Sequence, residues 1–127
     1  MSFIKYQGPA VLWAFIILVL CSIPFNDVDK SPLFFEGFDK LVHCGLFFVL
    51  IVFAGAGNIR QYGALKFTIK NAFKLFAIVI LFGGIIELLQ QFVFTWRSGD
   101  WNDLFADTVG AGMGVFSILM VRYASSE

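Results

Sequence analysis

The chain is poor in charge, has a single histidine and two cysteines, and carries no excess of either charge sign. Only 14% of its 127 residues are charged, against about a quarter in an ordinary soluble domain. Nine basic residues balance nine acidic ones, so there is no basic surface to attract nucleic acid. Cys21 and Cys44 both sit in apolar runs and lack CxxC or zinc-ribbon spacing. They read as small packing residues, not as a disulfide or metal framework. No internal repeat or low-complexity tract occurs, and there is no room for a second domain.

What the chain has in quantity is apolar surface. Hydrophobic residues make up 59% of it and its mean hydropathy is +0.84. A core of this size cannot absorb that excess, so lipid is the expected solvent. Long uncharged runs alternate with short charged segments. The runs at residues 8–23, 41–57, 75–94 and 104–121 predict four transmembrane helices in one domain. At ~1.5 Å per residue each covers roughly 25–30 Å, enough for a bilayer. The first run follows Lys5 and resembles a signal peptide. The LVLC segment has Leu20 where a cleavage box needs a small residue, so it reads as an uncleaved helix. The SPLFFEGF segment of the first loop is expected to lie at the membrane surface. The second loop, 58–74, carries Arg60, Lys66, Lys70 and Lys74 without an acid, and the four-residue spacing of Lys66, Lys70 and Lys74 suggests that part of it is a basic interfacial helix.

Positive charge sets the expected orientation. With a cytoplasmic N-terminus, the inner side holds Lys5, Arg60, Lys66, Lys70, Lys74 and Arg122, and the outer side Lys30, Lys40 and Arg97. The expected fold is thus an all-α bundle of four membrane helices with both termini inside. Every unusual polar group then converges on the extracytoplasmic third.

Glu87 is the sharpest of these groups. An acid inside a span costs about 2.5–3.5 kcal/mol on insertion scales, so it should face the bundle interior and be paired. Gln90, Gln91, Arg97 and Lys40 are the expected partners. His43 follows Asp39 and Lys40 by four and three residues, which places three polar groups on one helix face. Its near-neutral pKa suits acid–base chemistry. Asp103 is expected to cap the fourth helix, Asp100 to stabilise the turn before it, and Asp107 to lie one turn deeper. Arg97, between Trp96 and Trp101, suits a phosphate at headgroup depth. Ala106, Gly110 and Gly114 form a small-residue stripe that lets membrane helices approach closely, with Gly83 and Gly84 as a candidate opposing surface. The candidate catalytic residues are therefore His43, Glu87 and Asp107. The candidate substrate-binding residues are Asp39, Lys40, Gln90, Gln91, Arg97 and Asp103, with Ala106, Gly110 and Gly114 structural. His43, Glu87 and Asp107 lack short-range ligand spacing, so no metal or cofactor is assigned.

DKLVH at 39–43, ELLQQ at 87–91 and RSGDWNDLFADTVGAGMG at 97–114 together resemble the VanZ-like family of small bacterial membrane proteins. The matching positions are Asp39, Lys40, His43, Glu87, Gln90, Arg97, Asp103 and Gly110. Asp107 departs from the pattern, which commonly has Asn there. The resemblance implies a multi-pass protein of the bacterial cytoplasmic membrane. It also implies action on, or binding of, an envelope lipid or lipid-linked precursor, and a link to resistance against the glycopeptide teicoplanin. An association with phosphotransbutyrylase travels with the family, but nothing here resembles a soluble acyl-phosphate site. The alternatives are a non-catalytic headgroup-binding module, a structural membrane subunit, and a metal-assisted hydrolase or transferase.

Overall fold

The computed structural model describes residues 2–23, 37–96 and 99–126. Four long helices carry the fold: α1 (Ser2–Ser22), α2 (Phe38–Tyr62), α3 (Ile69–Phe92) and α4 (Trp101–Ala124). A single 3-10 turn, Ala64–Lys66, links α2 to α3, and no strand occurs among the described residues. At ~1.5 Å per residue, helices of 21 to 25 residues are about 32–38 Å long, sufficient to cross a hydrocarbon core of about 30 Å. All four are apolar enough to do so. No more than 39% of any apolar window is buried within the chain. The remainder, including Phe15, Leu81, Phe105 and Phe116, faces outward, as lipid-facing surface should.

The helices alternate in direction. Near the start of α1, Gln7 donates to the Ala54 carbonyl late in α2, and Trp13 Nε1 donates to the Leu46 carbonyl. Trp96, just past α3, donates to the Ser22 carbonyl at the end of α1. Arg122, near the end of α4, donates to the Ala64 carbonyl at the opposite pole. One pole therefore carries Lys5, Arg60, Lys66, Lys70, Lys74 and Arg122. The other collects the end of α1, the start of α2, the end of α3 and the start of α4.

The helices extend past the apolar runs because lipid does not end a helix; capping does. Gly63 stops α2 at φ +93°, a conformation that L side chains rarely adopt, and its N–H closes on the Ile59 carbonyl. Thr68 then caps α3 by accepting from the Asn71 N–H. The segment expected as a long basic loop is thus mostly helix, with only residues 63–68 between α2 and α3. Residues 31–36 of the SPLFFEGF segment lie outside the described residues.

Ile17, Phe47, Ile51, Val79, Ile86 and Ala111 form the central core. The most extensive helix contact is between α2 and α4, and the small-residue stripe explains it. A Cβ at Gly110 would collide with the Cys44 carbonyl, and one at Gly114 with Ile51. The stripe thus packs on α2, not on α3. Gly83 of α3 does face α4, with Asp107 and Leu104 close to its missing Cβ, whereas Gly84 opens onto free space.

Candidate functional site

The close approach of α2 and α4 sets His43 against two acids. Its Nδ1 lies 2.8 Å from Asp107 Oδ1, and its Nε2 lies 3.6 Å from Asp103 Oδ2. One turn earlier on α2, Lys40 directs its ammonium at Asp103 Oδ1 (2.6 Å), Asp100 Oδ2 (2.7 Å) and Asp39 Oδ2 (2.8 Å). An ammonium has three N–H donors, and all three are taken. Asp103 therefore bridges Lys40 on one oxygen and faces His43 with the other. From α3, Glu87 accepts the Asp100 N–H on Oε2 at 2.9 Å. Gln90 donates to the Cys21 carbonyl at 3.0 Å, tying α3 to α1.

The cluster is dry. Asp107 is fully buried, Glu87 and Gln90 are 1% exposed, and His43 and Asp103 are buried as well. Among the described residues, Glu87 Oε1, Gln90 Oε1 and Asp107 Oδ2 have no hydrogen-bond partner. Unpartnered buried polar atoms are costly and uncommon in folded proteins. His43, Glu87 and Asp103 each contribute one potential ligand atom to a group whose members lie within 4.8 Å of one another. Asp100 stands just before α4, outside the helices, and the hydrogen bond from Lys40 holds its carboxyl below the usual carboxylate range.

Several expectations are met in altered form. Asp100, not Asp103, caps α4, accepting the Asn102 N–H on its side chain. Asp103 sits in the first turn, where its carboxylate suits the positive helix end, and its side chain is committed to Lys40. Glu87 takes its partner from the turn backbone and not from Gln90, Gln91 or Lys40. Gly99 makes this possible: a Cβ there would come within 2.8 Å of the Glu87 carbonyl oxygen. Gln91 is exposed and stands apart from the cluster. Asp39 is half-exposed and, among the described residues, bonded to Lys40. Arg97 lies outside the described residues. Of the predicted catalytic set, His43, Glu87 and Asp107 all reach one site, and Asp103 joins them at its centre.

The residues that sequence reasoning underrated are Asp100, Gly99 and the Cys21 carbonyl. Asp100 was legible in principle, since an acid followed three residues later by another at the head of an apolar run is an N-terminal signature. The Cys21 carbonyl carries no sequence signal at all.

A groove of about 500 Å³ runs down the outer seam of α2 and α4 from this cluster. Lys40 and Asn102 form its polar end, and Leu41, Cys44, Phe105 and Val109 its apolar wall. A second groove, lined by Val52, Ile59, Ile118 and Arg122 among others, lies at the opposite pole and touches none of the cluster residues.

The fold and the cluster define a class: a multi-pass membrane protein of four antiparallel helices with acidic and imidazole groups buried together at one end. Within that class the chain belongs to the VanZ/LLP1 family, whose model matches residues 3–122. Comparison with curated proteins and with solved structures found no significant match.

Proposed function

We propose that this chain binds a membrane lipid or lipid-linked envelope precursor, at the outer leaflet of a bacterial cytoplasmic membrane. The observation that carries this reading is the α2–α4 groove, whose polar end meets the cluster at one residue. Lys40 belongs to both, as a ligand of Asp103 and as the polar end of the groove. A ligand with a polar head and an acyl tail matches that gradient. The outward orientation follows from the positive-inside rule, with six basic residues at the pole of the termini. In a catalytic version without a bound metal, His43, oriented by Asp107, is the general base, with Glu87 as a second proton carrier. Binding of a wall precursor also offers a route to glycopeptide resistance, since it would change what the antibiotic meets at the membrane surface.

Purified protein in nanodiscs is incubated with a lipid-linked wall precursor, and bound and converted lipid are measured. Saturable binding that weakens in Leu41→Trp and Val109→Trp, which fill the groove, is the expected result. Equal retention by wild type and both variants overturns the reading.

A second reading has its own observation. Lys40, Gln90 and the Asp100 N–H link all four helices at this pole through mutual hydrogen bonds. A purely structural role predicts that these residues affect stability while precursor binding is absent.

A further inference from the structure

Three side chains in the cluster share one unusual property. Each has one polar atom tied from behind and a second that is not. His43 Nδ1 is held by Asp107 at 2.8 Å, which leaves Nε2. Asp103 Oδ1 is held by Lys40 at 2.6 Å, which leaves Oδ2. Glu87 Oε2 is held by the Asp100 N–H at 2.9 Å, and its Oε1 is buried with no partner among the described residues. Metal-binding histidines and carboxylates are held in this way, by outer partners that fix the tautomer and the ring or carboxylate orientation.

We propose that His43, Glu87 and Asp103 form a binding site for a divalent transition metal of the zinc class. Asp107, Lys40 and the Asp100 N–H act as positioning groups behind the three ligands. His43, Glu87 and Asp103 each place one potential ligand atom within 4.8 Å of the others', and His43 Nε2 and Asp103 Oδ2 are 3.6 Å apart. Two ligands at 2.0–2.2 Å on a tetrahedral zinc are about 3.4 Å apart, so closure needs side-chain shifts of about 1 Å or less. Asp107 fits this role, because a carboxylate on Nδ1 strengthens the imidazole as a ligand.

Charge points the same way. Among the described residues, five carboxylates at this pole (Asp39, Glu87, Asp100, Asp103 and Asp107) face only Lys40 and His43. Three of the five are buried, where isolated negative charge is strongly disfavoured. A divalent cation neutralises Glu87 and Asp103 in place. One imidazole nitrogen with two carboxylates suits zinc or manganese better than magnesium or calcium, which favour all-oxygen shells. Three protein ligands leave zinc an open fourth position, the arrangement of catalytic rather than structural sites.

The metal site stands on this geometry alone. Its consequence for the ligand rests on the lipid-binding reading: a bound cation would let a phosphate headgroup enter a cluster that is otherwise strongly anionic. Lys40, with its three donors taken, cannot supply that attraction without releasing a carboxylate.

The test uses the full-length protein in nanodiscs, stripped with chelator and equilibrated against zinc or manganese. Elemental analysis should find one ion per chain, unaffected by excess magnesium. Glu87→Gln and Asp103→Asn should each weaken binding by at least about 100-fold, and Asp107→Asn by about 10–100-fold. Unfolding in chelator verifies that each variant is folded. If one is not, zinc X-ray absorption of the wild type decides, with imidazole scattering and a nitrogen–oxygen shell near 2.0 Å expected. Sub-stoichiometric metal, a shell without imidazole, or wild-type affinity in folded Glu87→Gln and Asp103→Asn overturns the site. Precursor binding measured on the same metal-free and metal-loaded samples separates the two ideas. Metal bound without precursor binding overturns the lipid reading alone, and precursor binding by a protein that takes up no metal overturns the metal site alone.

Discussion

His43 Nδ1 on α2 lies 2.8 Å from Asp107 Oδ1 on α4, with both side chains buried. This pair joins the two helices that share the largest contact among the described residues, and it leaves Nε2 facing Asp103. Hydrogen bonds inside membranes average about 0.6 kcal/mol, with a maximum near 1.7. Those involving charge run higher in soluble proteins, at about 1.5–3 kcal/mol. A double-mutant cycle of His43→Ala and Asp107→Ala should therefore give a coupling of about 1–2 kcal/mol in unfolding measurements. Additive effects of the two substitutions would remove the pair from the account.

Gly110 should be the least replaceable glycine of α4. A Cβ there meets the Cys44 backbone carbonyl, which cannot swing aside as a side chain would. Gly110→Ala should cost about 1–3 kcal/mol, as overpacking does, and should push α4 away from α2. Gly112 is the control, because its nearest neighbour is a Phe76 ring carbon at 3.9 Å. Gly112→Ala should be neutral, or stabilising by up to about 1 kcal/mol from reduced chain entropy. Thermal unfolding of both variants in one detergent gives the comparison; equal Tm values contradict the packing described.

Asp100 has two jobs that separate by substitution. Its side chain caps α4 through the Asn102 N–H and also accepts from Lys40. Asn caps helices about as well as Asp, whereas Ala costs about 1 kcal/mol. Asp100→Asn should therefore be milder than Asp100→Ala by about that amount.

The same residue carries a pH signature. Because Lys40 lowers the carboxyl pKa of Asp100 in the folded state, its contribution is complete above the unfolded value of about 3.9. It is lost as pH falls through the lower folded value. The group is half-exposed, so the effect is small. Acid titration of Tm should show a shallower fall below pH ~4 for Asp100→Asn than for wild type. Parallel curves would mean that this ion pair has no influence on stability.

Topology can be read chemically. Thr95→Cys and Leu65→Cys place thiols at opposite poles, both on exposed residues, in a background of Cys21→Ala and Cys44→Ala. In intact bacteria an impermeant maleimide should label Thr95→Cys at once and Leu65→Cys only after permeabilisation. The reverse pattern would place the cluster at the cytoplasmic face and remove the outer-leaflet reading.

The expectations for the site were uneven in quality, and the reason is distance along the chain. Glu87 and His43 stand out locally, because an acid or an imidazole in an apolar run is costly wherever it ends up. Their partners do not. Lys40 reaches Asp100 and Asp103 across 60 and 63 residues, and His43 reaches Asp107 across 64. Glu87 is satisfied by a backbone N–H, a group that every residue except proline possesses. Asp103 looked like the helix cap because it stands nearest the apolar run, while the actual cap lies three residues earlier.

By itself the sequence determined the spans, the separation of basic from mixed-charge poles, and the list of polar groups that must share one end. Those follow from local apolar length and from charges too costly to leave in hydrocarbon. Only the tertiary structure decided how that list is paired. Each helix can turn about its axis without changing its span, and each turn presents a different polar face. The approach of Gly110 to the Cys44 carbonyl settles that rotation for α2 and α4. It sets His43 between Asp103 and Asp107, and the Gly99 turn lays Asp100 over Glu87.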